Sequence, residues 1–448
     1  MTTPNGDALK IDASPTKDFF IFMLIKDVDL IPAIIDLVDN SLDGARRLRP
    51  REKDTYKGLR IAVTTKATHF EISDNCGGID VETAKTYAFR FGRPPGMPAT
   101  LRSVGQFGVG LKRALFKLGT AFRIESATKT SRFSMAVNVD DWRKAERDWD
   151  FRFSEEPKTG IRVPASDVGT VVRVKPLHAS VAEEFQSPTF GSRLVEEIEK
   201  AHSQNILRGL DISVNGRSLS SAEPELLMSS SLTPGFERLK LMSKEHGPVA
   251  VRLYAGVNKS DPSEAGWYVY CNDRLVLKAD QTNTTGWGEK GTPRIPQFHN
   301  QFADFRGYVF FEADDSAALP WNTSKTDVEL EHPAFRSTRV RMVQMMRPVI
   351  DFLNKVKEEG EGRLQRDPGP FTRTLKVAKP TRLSKVTTVG HFKSKPARAV
   401  ARPPGSASIQ YFRPVAQIDR VKDALKVGSN REVGERTFDY YFKSVISS

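Results

Sequence analysis

The chain has 448 residues, 39% hydrophobic and 27% charged, which excludes a disordered polypeptide and is too long for one ordinary core. Its 68 Lys+Arg against 55 Asp+Glu give +13, a balance that suits a polyanionic partner, and +11 of this falls after residue 360, where 18 Lys+Arg face 7 Asp+Glu. Cys76 and Cys271 make no disulfide framework, no Cys/His cluster has zinc-ligand spacing, and the apolar run 19–25 is too short to cross a membrane, so the expectation is a cytoplasmic protein with neither anchor nor secretion signal.

Residues 1–16 are polar and rich in turn formers, and 17–25 become apolar, an arm that packs on its own domain by default or reaches a second subunit. Residues 27–48 read as a helix, because Ile31, Ile34, Ile35, Val38, Leu42 and Ala45 recur at helical spacing and form a buried face. Asp36, Asn40 and Asp43 stand off that face at i, i+4 and i+7; alone, such a stripe is most simply a solvated surface. Residues 59–65 and 68–73 read as strands. The second runs into Asp74-Asn75-Cys76-Gly77-Gly78-Ile79, which sets a carboxylate at a sheet end ahead of a tight turn. Residues 87–101, with Gly92, Pro94, Pro95, Gly96 and Pro98, read as a mobile loop, and a lid belongs at 93–101.

Residues 104–118, VGQFGVGLKRALFKL, put three glycines ahead of an amphipathic helix that starts near Val109. Gly105, Gly108 and Gly110 let the backbone approach an anion, the helix start aims N–H groups and a positive dipole end at it, and Lys112 adds a point charge. A plain turn before a helix looks the same in isolation. Strands follow at 121–127, 132–139 and 169–174, the last opening on Gly169-Thr170, and residues 1–178 form a first α+β domain.

A second α+β domain spans 179–360. It has helix over 182–207 and a hairpin at 211–219 turning at Asn215-Gly216. Strands lie at 249–255, 266–271, 274–278 and 305–312, and an exposed loop at 319–327 carries Lys325 ahead of a helix over 333–357. Residues 361–414 are basic and rich in Pro and Gly with few large apolar side chains, which reads as a disordered linker. Helical periodicity returns at 418–425 and 437–446, in a small C-terminal module over 415–448.

Taken together, Asp36-x-x-Asp39-Asn40, Asp74-Asn-Cys-Gly-Gly78, Gly105-Gln-Phe-Gly-Val-Gly110-Leu-Lys112 and Gly169-Thr170 resemble the four ordered motifs of the GHKL ATPases. That superfamily includes gyrase B subunits, the large heat-shock chaperones, histidine kinases, MutL proteins and MORC proteins. The GQFGVG core is similar to the chaperones and the GLK continuation to the MORC group, and no Walker-type GxxxxGK[ST] competes. The resemblance implies a Bergerat fold, a mixed sheet with helices on one face and ATP between them. It implies that Asp74 accepts from the adenine amino group and that Gly78 leaves room for the base. Asn40 would coordinate Mg²⁺ on the phosphates, Thr170 would support the adenine network, and Gly105, Gly108, Gly110 and Lys112 would hold the phosphates.

Asp36 stands where hydrolysing members usually carry the glutamate that orients water. An acid there, with no phosphoacceptor-histidine helix upstream, argues against a histidine kinase. Asp is shorter by one methylene, roughly 1.5 Å of reach, and a misplaced base loses much of the ~10²–10⁴-fold it contributes, so slow hydrolysis is expected. Cys76-Gly77 departs from the pattern of many relatives on the adenine side. The second domain is similar to the transducer of the gyrase, MutL and MORC branches, where a loop lysine reaches the γ-phosphate; Lys325 is the candidate, against an ordinary exposed lysine. The expectation is an ATP-gated homodimeric clamp that acts on nucleic acid through its basic tail. The alternative is a protein-remodelling or signalling module whose tail links it to a protein partner.

Overall fold

The computed structural model describes residues 15–26, 28–51, 55–92, 100–105, 108–145, 147–361, 369–396, 409 and 411–446. The chain divides into two compact units, Met1–Ala397 and Arg398–Ser448.

The first unit opens with α1 (Lys17–Lys26), a helix where the sequence suggested only an apolar arm, and α2 (Leu30–Leu48). Then come β1 (Arg60–Lys66), β2 (His69–Asp74), the single turn α3 (Val81–Thr83), α4 (Gly110–Leu118), β3 (Ala121–Ala127), β4 (Ser131–Asn138), α5 (Val139–Lys144), β5 (Lys158–Thr159) and β6 (Gly169–Val174). Helices α6 (Ala179–Gln186) and α7 (Phe190–Leu207) lead to the hairpin of β7 (Asp211–Val214) and β8 (Arg217–Ser218). These strands form one mixed eight-stranded sheet, ordered β5-β4-β3-β6-β2-β1-β7-β8. Burial alternates along β1 and β3, so one face is covered and the other wet. The covered face meets α2, whose Ala33, Ile34, Val38, Leu42 and Ala45 are fully buried. This is the α+β architecture expected of a Bergerat fold.

One expected boundary moves. The 211–219 hairpin was placed in the second domain, but β7 pairs in parallel with β1, Ile61 opposite Ile212, and so extends the first sheet. Local alternation and Asn215-Gly216, both at positive φ, identify a hairpin; they do not say which sheet edge receives it.

The second sheet follows β9 (Glu225–Met228) and β10 (Leu232–Thr233). Its strands are β11 (Gly235–Ser243), β12 (Gly247–Val257), β13 (Gly266–Cys271), β14 (Arg274–Asp280) and β15 (Phe305–Glu312), in the order β11-β12-β15-β13-β14 with β13 and β15 parallel. Helix α8 (Pro333–Glu361) supplies Met342, Met346, Val349 and Leu353 to the same core as Val251 and Val309. A second cluster stacks Phe236 on Tyr254, Tyr268 on Tyr308 and Tyr270 on Phe310, together with Leu226, Leu383 and Val386.

The second correction concerns the linker expected at 361–414. Residues 369–395 fold into α9 (Pro370–Val377), β16 (Lys379–Arg382), which pairs with β9, and β17 (Lys393–Ser394), which pairs with β10. The Glu359 carboxylate caps α9 by accepting from the Phe371 and Thr372 amides at 3.0 and 2.9 Å. Phe371 and Phe392 pack on Phe352. A few spaced anchors and strand addition through the backbone suffice here, and composition registers neither. The rest of that stretch lies largely outside the described residues.

The second unit contains α10 (Val415–Leu425) and α11 (Asn430–Tyr441), the latter started by a Ser429–Glu432 capping box, and neither buries a residue.

Candidate functional site

Strands β2 and β6 run antiparallel with Asp74 opposite Thr170. At the end of β2 the Asp74 carboxylate accepts from Ser41 Oγ at 2.6 Å and from the Cys76 amide at 2.8 Å. Burial pushes its pKa up, against the pull of those donors. The Thr170 hydroxyl pairs with Ser126 Oγ at 2.9 Å, and Ser126 in turn accepts from the Ile79 amide at 2.8 Å. Asp74 and Thr170 line a cavity of about 520 Å³, counting the space open to solvent, together with Asn40, Ser41, Gly78 and Leu111. Gly78 lines it at φ 69°, and an added Cβ would come within 2.2 Å of the Ala127 carbonyl oxygen. Its glycine is therefore fixed by close backbone approach to the end of β3, a constraint separate from room for a base.

A larger cavity, about 1470 Å³ on the same measure, shares Asn40, Arg47, Gly78, Ile79 and Leu111 with the first, so the two are halves of one cleft. Asp36, Gly105, Gly108, Gly110, Lys112 and Lys325 line it. The glycine turn is anchored from α2: the Asp43 carboxylate accepts from the Val104 and Gly105 amides, both at 2.8 Å. Gly105 therefore directs its N–H to Asp43, not into the cleft. An added Cβ on Gly110 would stand 3.3 Å from the Asp36 carboxylate, so acid and helix start touch. Lys112 is buried; its ammonium donates to the carbonyls of Ala88 at 3.3 Å, Arg90 at 2.6 Å and Gly108. Burial pushes its pKa down to about 8. In this arrangement Lys112 ties the glycine turn to the 88–90 segment. Gln106, Phe107 and residues 93–99 of the expected lid lie outside the described residues.

The acid end of the cleft is a charge cluster spanning both sheets. Asp36 is buried, with Oδ1 accepting from Lys325 Nζ at 2.9 Å and Oδ2 paired with Arg113. Lys325 also donates to Asp39 Oδ2 at 2.8 Å. Burial pulls the Lys325 pKa down and the two carboxylates more than offset it, leaving the ammonium above the ordinary lysine value. Burial likewise opposes charge on Asp39, yet Lys325, Arg274 and His202 bring its pKa down to about 2. Arg274 Nε and His202 Nε2 stand 3.3 and 3.4 Å from Asp39 Oδ1, close enough for attraction but without hydrogen-bond geometry. Burial brings His202 down to about 3, so the ring is neutral at pH 7; it sits at a kink in α7.

The loop around Lys325 is folded inward, unlike the exposed connection expected from its polarity. Trp321 is 1% exposed and bridges to Val328, and Lys325 holds a left-handed φ of 56°. A second contact joins the sheets at the β13–β14 turn, where Asn272 and Asp273 have φ of 46° and 63°. The Asn272 side chain donates to the carbonyls of Ser103 at 3.2 Å and Ala313 at 3.0 Å, and the Arg46 guanidinium bonds the carbonyls of Arg102 and Asn272. The segment that enters the glycine turn is thereby held by the second sheet.

All the residues singled out in the sequence, Asp36, Asn40, Asp74, Gly78, Gly105, Gly108, Gly110, Lys112, Thr170 and Lys325, stand in or directly behind this cleft. Ser41, Asp43, Arg47, Arg113, Ser126, His202 and Arg274 were missed; only Asp43 left a signal, as part of the α2 polar stripe. Among the described residues no group of three or more His, Cys, Asp or Glu side chains stands ready to hold a metal, and no helix is long and apolar enough to cross a membrane.

A family model described as Histidine kinase-, DNA gyrase B-, and HSP90-like ATPase matches residues 28–170, which contain all four motifs. Among curated proteins none matches the chain.

Proposed function

Because residues 28–170 match a GHKL-type ATPase model, we propose that the protein is a slow, ATP-gated clamp in which Lys325, on the loop after the second sheet, senses the γ-phosphate. The observation that carries this reading is the Lys325 ammonium, bonded to Asp36 and Asp39 at 2.9 and 2.8 Å while lining the same cavity as Gly108 and Gly110. Adenine's amino group donates to Asp74, backed by Thr170 and Ser126, and the amides at the start of α4 receive the phosphates.

Asn40 lines both halves of the cleft, its side chain makes no hydrogen bond to the described residues, and its amide oxygen suits a hard cation. Mg²⁺ keeps several waters and shares its shell with substrate phosphates, so one protein oxygen at that junction fits it; bound there, it neutralises phosphate charge. In hydrolysis a water oxygen bonds to the γ-phosphorus as the bridging P–O bond breaks toward ADP, and Asp36 takes the water's proton. The short side chain and the cations on both its oxygens favour slow turnover. The γ-phosphate draws Lys325 from the carboxylates, and the second sheet follows into a closed homodimer.

For the partner, the basic excess favours nucleic acid. Residues 369–396 carry seven Lys+Arg and no Asp or Glu, and Lys376, Lys379, Arg382, Lys385, Lys393 and Lys395 are exposed. Size measurement with and without a non-hydrolysable ATP analogue, repeated with duplex DNA at two salt concentrations, tests the whole reading. A dimer that forms only with the analogue, and DNA affinity that falls steeply with salt, are expected. An unchanged monomer would overturn the clamp. One observation favours a protein client instead: α11 and its following turn leave Phe438, Tyr440, Tyr441 and Phe442 exposed. Salt-insensitive capture of a protein that requires residues 411–446 would select that alternative.

A further inference from the structure

We propose that Arg113 is a second catalytic cation, which moves from Asp36 to the terminal phosphate and in doing so frees the acid to handle water. The inference rests on the ATPase reading above. Arg113 follows Lys112 in the first turn of α4 and lines the same cavity as Gly108, Gly110, Asp36 and Lys325. It is 7% exposed, its guanidinium is paired with Asp36 Oδ2, and its buried Nε has no hydrogen-bond partner among the described residues. A buried donor that no described residue satisfies, at the wall of a cleft, points to an acceptor brought by a bound molecule.

The other cations near that end are committed differently. The Lys112 ammonium is held by three backbone carbonyls, and Arg47 lines the adenine half as well as the phosphate half. Among the described residues, Lys325 and Arg113 are the side-chain cations bonded to Asp36, one on each carboxylate oxygen. With a cation held on each oxygen, the carboxylate's negative charge is neutralised and it is a poor base toward water. A terminal phosphate entering beside Gly110 brings two negative charges into competition with that single one, and a planar guanidinium suits the paired oxygens of a phosphoryl group.

The step then balances. The water oxygen bonds to the γ-phosphorus, the bridging bond breaks with its electron pair going to ADP, and one water proton passes to Asp36 Oδ2, vacated by Arg113. Arg113 stays protonated throughout and faces the non-bridging oxygens, where charge must be compensated.

The test compares wild-type protein with Arg113→Ala and Arg113→Lys, and with Arg123→Ala on the wet face of the sheet as a surface control. Affinities for ADP and for a non-hydrolysable ATP analogue, retention of ADP with aluminium fluoride, and turnover are measured. Arg113→Ala should keep ADP binding, lose about 10- to 100-fold of the preference for the ATP analogue over ADP, and lose retention of the fluoride complex. Its turnover should fall by at least ~10²-fold, with Arg113→Lys in between. A role confined to restraining Asp36 predicts the opposite: analogue preference unchanged and turnover equal or faster, which overturns the proposal. If Arg113→Ala fails to fold, Arg113→Lys decides, since it keeps the charge but loses the fork that grips two oxygens. Wild-type protein that binds no ATP analogue sinks the ATPase reading itself, whereas wild-type binding with an unaffected Arg113→Ala sinks only the arginine.

Discussion

Asp36 holds a lysine from the loop after the second sheet on one oxygen and an arginine from its own domain on the other, so its substitution separates binding from chemistry. Asp36→Ala should leave ATP-analogue affinity within a few-fold and lower turnover by ~10²–10⁴-fold; equal turnover would remove Asp36 as the base. Asp74→Asn should abolish nucleotide binding, because the amide turns a donor toward the adenine amine; titration calorimetry with ADP reads this directly. His202 gives a pH signature. Burial takes its pKa from the ordinary 6.5 to about 3, so below pH 6.5 the unfolded chain takes up a proton that the folded chain refuses until near 3. Stability is therefore full above pH 6.5 and falls by up to ~1.4 kcal/mol per pH unit across that window. Asp39, brought down to about 2, adds stability present above its ordinary 3.8 and lost as pH falls through 2. Urea melts of His202→Gln should show a flatter decline between pH 6.5 and 4 than wild type, and parallel declines would refute the assignment. The α2 stripe was legible because Asp36, Asn40 and Asp43 recur with the helical repeat. The task of Asp43 was not, since its partners are backbone amides some sixty positions along the chain. Arg113 and His202 gave no periodic signal, because what distinguishes them is a neighbour on another element.

At the level of elements, the β13–β14 turn matters more than its two residues suggest. Asn272 combines a left-handed φ with two donated side-chain bonds and one accepted from the Ala313 amide at 3.0 Å, all buried. Asn272→Ala should cost about 2–4 kcal/mol in chemical denaturation, from unpaired carbonyls and backbone strain. It should also loosen the Arg102–Ser103 entry to the glycine turn, so nucleotide affinity should fall although no nucleotide contact is removed. Unchanged affinity in a destabilised Asn272→Ala would show that the turn is only structural. The alternating strand 121–127 and the aromatic, almost fully buried run 305–312 were readable from sequence alone. β11 escaped because Pro234 precedes it, it opens on Gly235, and charged Arg238 and Lys240 interleave its leucines, as suits an edge strand. α9 and β16 escaped for a different reason: their stability comes from edges and faces already built by distant segments, and a local window contains neither.

For the molecule as a whole, the division after residue 397 predicts that a chain ending there folds and binds nucleotide like the full protein, with the melting temperature of the first unit unchanged. Ending the chain at 361 instead should lower that melting temperature, since it strips β16 from β9 and β17 from β10 and uncovers Phe352 and Leu226. Equal melting of the two truncations would mean that residues 369–396 decorate the second sheet without supporting it. Trp321, sealed from water four positions ahead of Lys325 on a closed loop, has an optical consequence. Indole emission responds to the polarity around the ring, so any departure of the lysine from its two carboxylates becomes visible as a spectral change in unlabelled protein. Subtracting the spectrum of Trp321→Phe isolates that signal from the other four tryptophans, and stopped-flow mixing with nucleotide would then time the loop's movement against the appearance of product.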